Sequence, residues 1–555
     1  MKTKTLILTI LSFVVLLNCE NKKKEQPKKE ITSNTENVFV WEGANIYFLL
    51  TDRFNNGDTS NDTLVGRTKT TGKLRGFEGG DIKGVTQKIE EGYFTDLGIN
   101  AIWMTPIVEQ IHGATDEGTG ITYGYHGYWA KDWTAVDPNY GTKDDLKELV
   151  EVAHKNGIRV VLDAVINHTG PVTEIDPVWP NDWVRTEPQC QYSNYENTIT
   201  CTLVKNLPDI KTESNENVKL PPQLVKKWKA EGRYEEEVTE LDAFFERTGH
   251  PRAPRFYIMK WLTDYITDYG IDGYRCDTVK HTEEFVWSEF KTECDYAFAE
   301  YKKANPDKVL DGNDFYLVGE VYNYGISGGK FFDFGDKKVN YYDNKFTQQI
   351  NFEFKWNAKQ MLIGDVYEKY DKILHNELND YGVLNYLSSH DDGSPFDPDR
   401  KLPKETGTLL LLSPGAAQVY YGDESARSLV IEGTVGDATL RSNMNWNEFE
   451  SNQEILNHYY KLGQFRNNHP AVGAGKHEVI SESPYVFSRT FTKDNYADKV
   501  IVVLKDVEEK PSVNVSSVFE NGEKIIDYYS GQKMIVEDGE VMLESSHEVV
   551  LLQKI

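Results

Sequence analysis

The chain has 555 residues, too many for one simple domain and enough for a large barrel with an appendage. Its net charge of −27, from 61 Lys and Arg against 88 Asp and Glu, argues against a nucleic-acid partner, because phosphate binding needs clustered basic side chains. Aromatic residues make up 12%, which suits stacking on sugar rings and ordinary cores equally.

Residues 1–19 carry the marks of a targeting segment. Lys2 and Lys4 give a basic start, and the apolar run from Leu6 to Leu17 is too short to span a membrane. It closes Leu16-Leu17-Asn18-Cys19, which resembles a bacterial lipoprotein signal with cleavage before Cys19 and a lipid on that thiol. An ordinary secretory signal that happens to contain a cysteine is the other reading. Residues 20–38 are rich in Lys, Glu, Pro and Ser and read as a disordered tether. The expectation is an exported lipoprotein in the periplasm or at the outer membrane or cell surface, held to the membrane by a lipid anchor on Cys19.

A strand–helix rhythm follows. Asn45 to Phe54 reads as a first strand, with a polar loop from Asn55 to Asp62. Ala101 to Pro106 reads as a second, followed by the aromatic loop Gly124-Tyr125-His126-Gly127-Tyr128-Trp129, which elsewhere would be a surface hydrophobic staple. A third apolar strand, from Arg159, ends in Asp163, Asn167 and His168. From Asn167 to about Tyr257 the rhythm breaks, and the Pro-, Asn- and charge-rich stretch reads as an inserted subdomain. The apolar helix from Phe256 to Tyr269 leads into Gly273-Tyr274-Arg275-Cys276-Asp277-Thr278-Val279-Lys280-His281. Arg275 and Asp277, two residues apart on a strand, share a face. A guanidinium keeps a neighbouring carboxylate ionised, which suits a nucleophile, although the pair alone reads equally well as a structural ion pair.

The strand at Phe315 ends in Glu320, the strand at Leu384 ends in His390-Asp391, and the strand from Ala416 closes the series. Polar and acidic groups thus collect at the carboxyl ends of successive short strands, where a (β/α)8 barrel keeps its active site. After the helix from Ile455 to Asn468, short β-rich runs read as a small antiparallel sandwich. The expected fold is α/β, a (β/α)8 TIM barrel (39–167 and 258–470) with a subdomain inserted after strand 3 (168–257) and a C-terminal antiparallel β-sandwich (471–555).

Four of these stretches resemble, in order, the signature regions of the α-amylase family (glycoside hydrolase family 13): D-x-x-x-N-H, G-x-R-x-D-x-x-K-H, a strand ending in Glu, and a strand ending in His-Asp. By that resemblance Asp277 is the nucleophile, Glu320 the general acid/base, and Asp391 a third carboxylate that grips sugar hydroxyls. Arg275 keeps Asp277 ionised and aimed, while His168 and His390 donate hydrogen bonds to the cleaved sugar. Tyr128 stacks on that ring, with Trp129 beside it and His126 on its hydroxyls. Lys280 and His281 join the substrate contacts; this pair, together with His126-Gly127-Tyr128-Trp129 and Leu207-Pro208-Asp209-Ile210, resembles α-amylases more than α-glucosidases. Asn206-Leu207-Pro208-Asp209-Ile210 resembles the family's fifth region, which implies Ca2+ held by Asn167, Asp209 and the main-chain carbonyl of His281. An Asx turn at Pro208-Asp209 with Asn167 capping a loop is the alternative. One departure stands out: Asp392-Gly393-Ser394-Pro395 follows His390-Asp391 where many members carry Asn-x-x-Arg.

In an exported chain Cys190 and Cys201 read as a disulfide, and Cys276 and Cys294 as buried thiols. The expected activity is that of a retaining α-amylase, a monomer that hydrolyses internal α-1,4 bonds of starch-like glucans and maltooligosaccharides. Retention requires the Asp277 and Glu320 carboxyls to lie roughly 5 Å apart. Two alternatives stand beside it: another enzyme of the family (α-glucosidase, maltogenic or pullulan-cleaving enzyme, glucanotransferase), and an inactive glucan-binding lipoprotein.

Overall fold

The computed structural model describes residues 38–555; the targeting segment and nearly all of the tether lie outside them. Eight parallel strands close into a barrel: β1 Asn45–Leu49, β2 Ala101–Met104, β3 Arg159–Ala164, β4 Gly273–Cys276, β5 Tyr316–Gly319, β6 Gln348–Asn351, β7 Gly382–Asn385 and β8 Ala416–Tyr420. Closure comes from β1, which pairs with β2 on one side (Ile46 beside Ala101) and with β8 on the other (Asn45 beside Ala417). Every residue of these strands is buried, because side chains on one face fill the barrel while those on the other meet the outer helices. Helix Pro254–Tyr269, which begins two residues ahead of its expected start, is capped by Gly270 in the left-handed region and delivers the chain to β4.

One expected element divides. The first strand stops at Leu49, and Thr51–Phe54 forms a helical turn. Asp52 and Arg53, both fully buried, pair at 2.6 Å, and Asp52 also accepts the Glu78 N–H at 3.0 Å. Two buried charges have to be neutralised and hydrogen-bonded, and the turn brings their partners within reach where a strand ladder would not.

The inserted stretch holds a two-stranded ladder, Val184–Arg185 with Asp209–Ile210, and the predicted disulfide between Cys190 and Cys201. Helices Pro222–Glu231 and Tyr234–Thr248 account for the charged run, and their placement follows from one buried carboxylate. Asp132 receives Lys227 Nζ at 2.8 Å, Arg233 Nη2 at 2.6 Å and the Trp228 indole N–H at 3.1 Å. Those contacts fix the helices to strand Ala130–Val136. Cys276 and Cys294 are free and buried.

The C-terminal part is a six-stranded antiparallel sheet of β9 Lys476–Glu482, β10 Tyr485–Lys493, β11 Tyr496–Leu504, β12 Lys524–Asp527, β13 Lys533–Ile535 and β14 Val549–Lys554, in the order β9-β10-β11-β14-β12-β13. A two-stranded ladder, Ser512–Asn514 with Glu540–Met542, adds Val513 and Val541 to the apolar cluster that one face of the sheet buries. Among the described residues no helix is long and apolar enough to cross a membrane.

Candidate active site

Register builds the site. In β4, Arg275 stands beside Asp163 of β3 and Val318 of β5, so its side chain enters the barrel level with the acidic ends of both neighbours. Arg275 is 1% exposed, and its guanidinium serves three carboxylates. Nη1 lies 2.9 Å from Asp163 Oδ1 and 2.8 Å from Asp277 Oδ1, and Nη2 lies 3.0 Å from Glu320 Oε2. One rigid fork therefore touches the expected nucleophile with one prong and the expected acid/base with the other. Just past β4, Thr278 takes φ 49° and turns its N–H to Glu320 Oε2 at 2.8 Å.

Electrostatics separates the carboxylates. Burial, then the charges of Asp277 and Asp391, hold the Glu320 carboxyl well above the ordinary range, against the pull of Arg275. Asp391 behaves oppositely. Burial opposes its charge, but His390, Arg275, Arg441 and the Ser389 hydroxyl hold it below the ordinary value. Its side chain remains 31% exposed, open to the cleft mouth, where Glu320 is enclosed. Environments that drive neighbouring carboxyls apart in this way allow one to carry a proton while the other stays charged.

The aromatic loop lies against this group. The Tyr128 hydroxyl donates to Asp163 Oδ2 at 3.0 Å, and its ring stacks on His390 with centroids 5.3 Å apart. His126 accepts the Tyr128 N–H on Nδ1 at 3.0 Å, so its neutral ring carries its proton on Nε2; burial and then Arg441 keep that ring from charging. The His168 Nε2–H donates to the Tyr128 carbonyl at 3.1 Å, leaving the buried Nδ1 without a partner. In the neutral ring, favoured by burial, that nitrogen is an acceptor. Burial likewise lowers His390 to about 4.

Lys280 and His281 separate. Lys280 Nζ donates to the Tyr322 carbonyl at 3.1 Å. The buried His281 ring instead donates from Nδ1 to the Thr198 carbonyl at 3.0 Å, inside the disulfide loop. Lys280 thus ties the segment after β4 to the one after β5, His281 ties it to the disulfide loop, and only Lys280 is partly exposed.

Asn167 and Asp209 do come together, joined by the Ile210 N–H on the Asn167 carbonyl at 2.8 Å. Among the described residues no three His, Cys, Asp or Glu side chains converge as a metal cluster. Asp209 is 1% exposed and neither carboxylate oxygen accepts a well-aligned hydrogen bond, nor does Asn167 Nδ2 donate one. These oxygens are the hard donors Ca2+ favours, so the set fits in kind. A competing cation is present, however: Arg185 Nε lies 2.8 Å from Asp209 Oδ2, while its Nη2 reaches Glu213 at 2.6 Å.

Several site groups were given no role from sequence. Asp163 joins Arg275, Tyr128 and the Trp103 indole N–H, the last at 3.2 Å. Arg441 Nε donates to the His390 carbonyl at 2.8 Å. Arg75 meets Asp437 at 3.1 Å, and with Glu117, Arg441, His126 and Trp129 they line a cavity of about 250 Å³ beside the aromatic loop. Asp163 was visible as the first residue of its motif; Arg75 and Asp437, 362 residues apart, belong to no local pattern.

A closed eight-stranded barrel with paired carboxylates around one arginine at its carboxyl-terminal mouth defines a glycoside hydrolase of the TIM-barrel class. Residues 48–464 match the family model for the α-amylase catalytic domain, and the chain belongs to the α-amylase family. It is 34% identical over 539 residues to a periplasmic α-amylase of Escherichia coli (strain K12), covering 85% of this chain and 73% of that one. It is 28% identical to a cyclomaltodextrin glucanotransferase of Geobacillus stearothermophilus, covering 88% of this chain and 63% of that longer relative. The fold is shared with an α-amylase from Geobacillus thermoleovorans complexed with acarbose, at TM-score 0.63 and 23% identity, covering 93% of this chain and all of that one (100%).

Proposed function

We propose that the protein is a retaining α-amylase that cleaves internal α-1,4 bonds of starch-like glucans and maltooligosaccharides. The observation that carries this reading is the Arg275 fork, which holds Asp277 at 2.8 Å and Glu320 at 3.0 Å. Carboxyls one guanidinium apart suit the retaining spacing of roughly 5 Å, and leave little room for the water that inverting enzymes place between theirs.

In this mechanism Asp277 Oδ attacks the anomeric carbon as Glu320 protonates the departing glycosidic oxygen. The C–O bond breaks and a glycosyl ester forms on Asp277. Glu320, now a carboxylate, takes a proton from water, whose oxygen attacks the same carbon and frees Asp277. Enclosure of Glu320 suits the acid role, and ionised Asp391 suits stabilisation of the positive charge developing on the ring. Tyr128 supplies the flat face under the sugar, and His126, His168 and His390 its polar contacts. Lys280 lies on the side of the leaving chain.

The Asp209 carboxylate, the Asn167 amide oxygen and the His281 carbonyl would hold a calcium ion, which would supply a structural charge between the insertion and the barrel. The periplasmic relative supports export, with the chain anchored through a lipid on Cys19 and acting as a monomer. Glucanotransferase activity is the second reading, favoured by the glucanotransferase relative; it follows when a sugar hydroxyl takes the place of water.

A time course of products from soluble starch and maltotriose tests the assignment, with Asp277→Asn as control. Rapid loss of starch chain length with mixed maltooligosaccharides is expected. Glucose alone, fastest from maltotriose, would reassign the enzyme as an α-glucosidase, and no turnover would leave a glucan-binding protein.

A further inference from the structure

Of the chain's eleven tryptophans, Trp356 alone is more than a third exposed, at 42%. It sits on helix Phe354–Gln360, directly after β6 at the carboxyl-terminal mouth of the barrel. Two lysines of the same helix clamp it. Lys355 Nζ contacts the Asp392 carboxylate, which also receives the Tyr386 hydroxyl at 2.5 Å, and Lys359 Nζ donates to the Pro395 carbonyl at 2.7 Å. Asp392 to Pro395 is the segment in which this chain departs from its family's pattern, immediately after Asp391. The helix that carries Trp356 is therefore tied to the segment after Asp391, with the two ammonium groups 5.0 and 5.2 Å from the ring centroid.

The helix also has a definite place on the barrel. Phe352, between β6 and this helix, packs on Tyr322 at 5.0 Å and Tyr386 at 5.5 Å, so the helix borders the β5–β6 sector to which Glu320 belongs. On the reading above Glu320 protonates the leaving oxygen, which puts the leaving portion of a cleaved chain on this side of the cleft. A large ring left exposed beside two ammonium groups is built for contact rather than for the core.

We propose that Trp356 is a stacking platform for a glucosyl unit of the leaving part of an α-1,4-glucan, several units beyond the scissile bond. The proposal rests on the glucan-cleaving reading above. Its chemistry is that of a pyranose C–H face on an indole, with Lys355 and Lys359 setting the orientation of the ring and Asp392 neutralising Lys355.

Two measurements test it. In steady-state kinetics Trp356→Ala should raise KM for maltoheptaose roughly three- to tenfold more than for maltotriose, the size of one aromatic contact, and Trp356→Tyr should restore most of the loss. In the Glu320→Gln background, maltoheptaose should change tryptophan fluorescence, and Trp356→Phe should remove most of that change. Equal effects on both substrates, or a fluorescence change that survives Trp356→Phe, would overturn the proposal. The titration needs no turnover: failure of wild-type hydrolysis with the Trp356 signal intact would sink the enzymatic reading and leave this site standing.

Discussion

The N–H of Thr278 donates to Glu320 Oε2 at 2.8 Å from a backbone held at φ 49°, and the next N–H, that of Val279, donates to the Glu320 carbonyl at 3.0 Å. A β-branched residue in the left-handed region is costly and persists only where its surroundings fix it. Here the turn after Asp277, the proposed nucleophile, holds Glu320, the proposed acid/base, so the two carboxyls are located by one stretch of chain. Hydrogen bonding of this kind stabilises the ionised form, yet burial and the neighbouring charges outweigh it.

The pH profile should reflect that balance. The alkaline limb of kcat/KM reports loss of the Glu320 proton and should lie well above ordinary carboxylate titration. Asp391→Asn removes one of the charges raising Glu320, so besides lowering the rate it should move that limb toward acid. Rate profiles of the two proteins on maltoheptaose check the sign, and an unmoved limb would remove Glu320 from the role.

Arg275→Lys should cost about a hundredfold or more in kcat, of the order of one general acid–base contribution. A single ammonium cannot reproduce a fork that spans Asp163, Asp277 and Glu320. Asp163→Asn should cost less, because Arg275 keeps its other two partners. Comparing kcat of the two variants at matched thermal stability tests this order.

Calcium and Arg185 should compete for Asp209. In EDTA, Arg185→Gln should destabilise the protein by about 3 kcal/mol, since it leaves a buried carboxylate without its cation. Added Ca2+ should recover that variant more fully than it stabilises wild type. Thermal denaturation with EDTA and with Ca2+ decides; no calcium effect on either protein would remove the metal from the account.

Cys201→Ser should cost about 3 kcal/mol by the loop-closure relation, lowering the melting temperature. It should also raise KM for starch, because the Thr198 carbonyl that holds His281 lies within the Cys190–Cys201 loop. Matched loss of stability with unchanged KM would confine the disulfide to a structural part.

Burial raises Glu424, clasped by the Tyr47 and Tyr93 hydroxyls, to about 7 from an ordinary 4.5. A folded value above the unfolded one means that the group's contribution is fully present below about pH 4.5 and is lost as pH rises through 7. Glu424→Gln should therefore flatten the dependence of melting temperature on pH between those limits.

The barrel and the candidate carboxyls gathered at its mouth were legible because each lies in a short continuous pattern: an apolar strand, then Asp, Glu or His-Asp. The disulfide was legible from compartment and proximity. Thr51–Phe54 was not, because its turn answers to Glu78 and Gly79, some 26 residues away, through Asp52. The orientation of His168 and the Arg75–Asp437 pair were hidden for the same reason: which partner a polar side chain finds is decided across the fold. Arg185 was overlooked because its carboxylate partner, Asp209, lies on the opposite strand of a two-residue ladder.

The central claim is retention through Asp277 and Glu320, and the anomeric form of the first product tests it most directly. Proton NMR of early maltoheptaose cleavage, followed before mutarotation, should show new reducing ends as the α anomer, with no signal from Asp277→Asn. New ends appearing first as the β anomer would contradict the assignment of Asp277 as nucleophile and require water to attack directly.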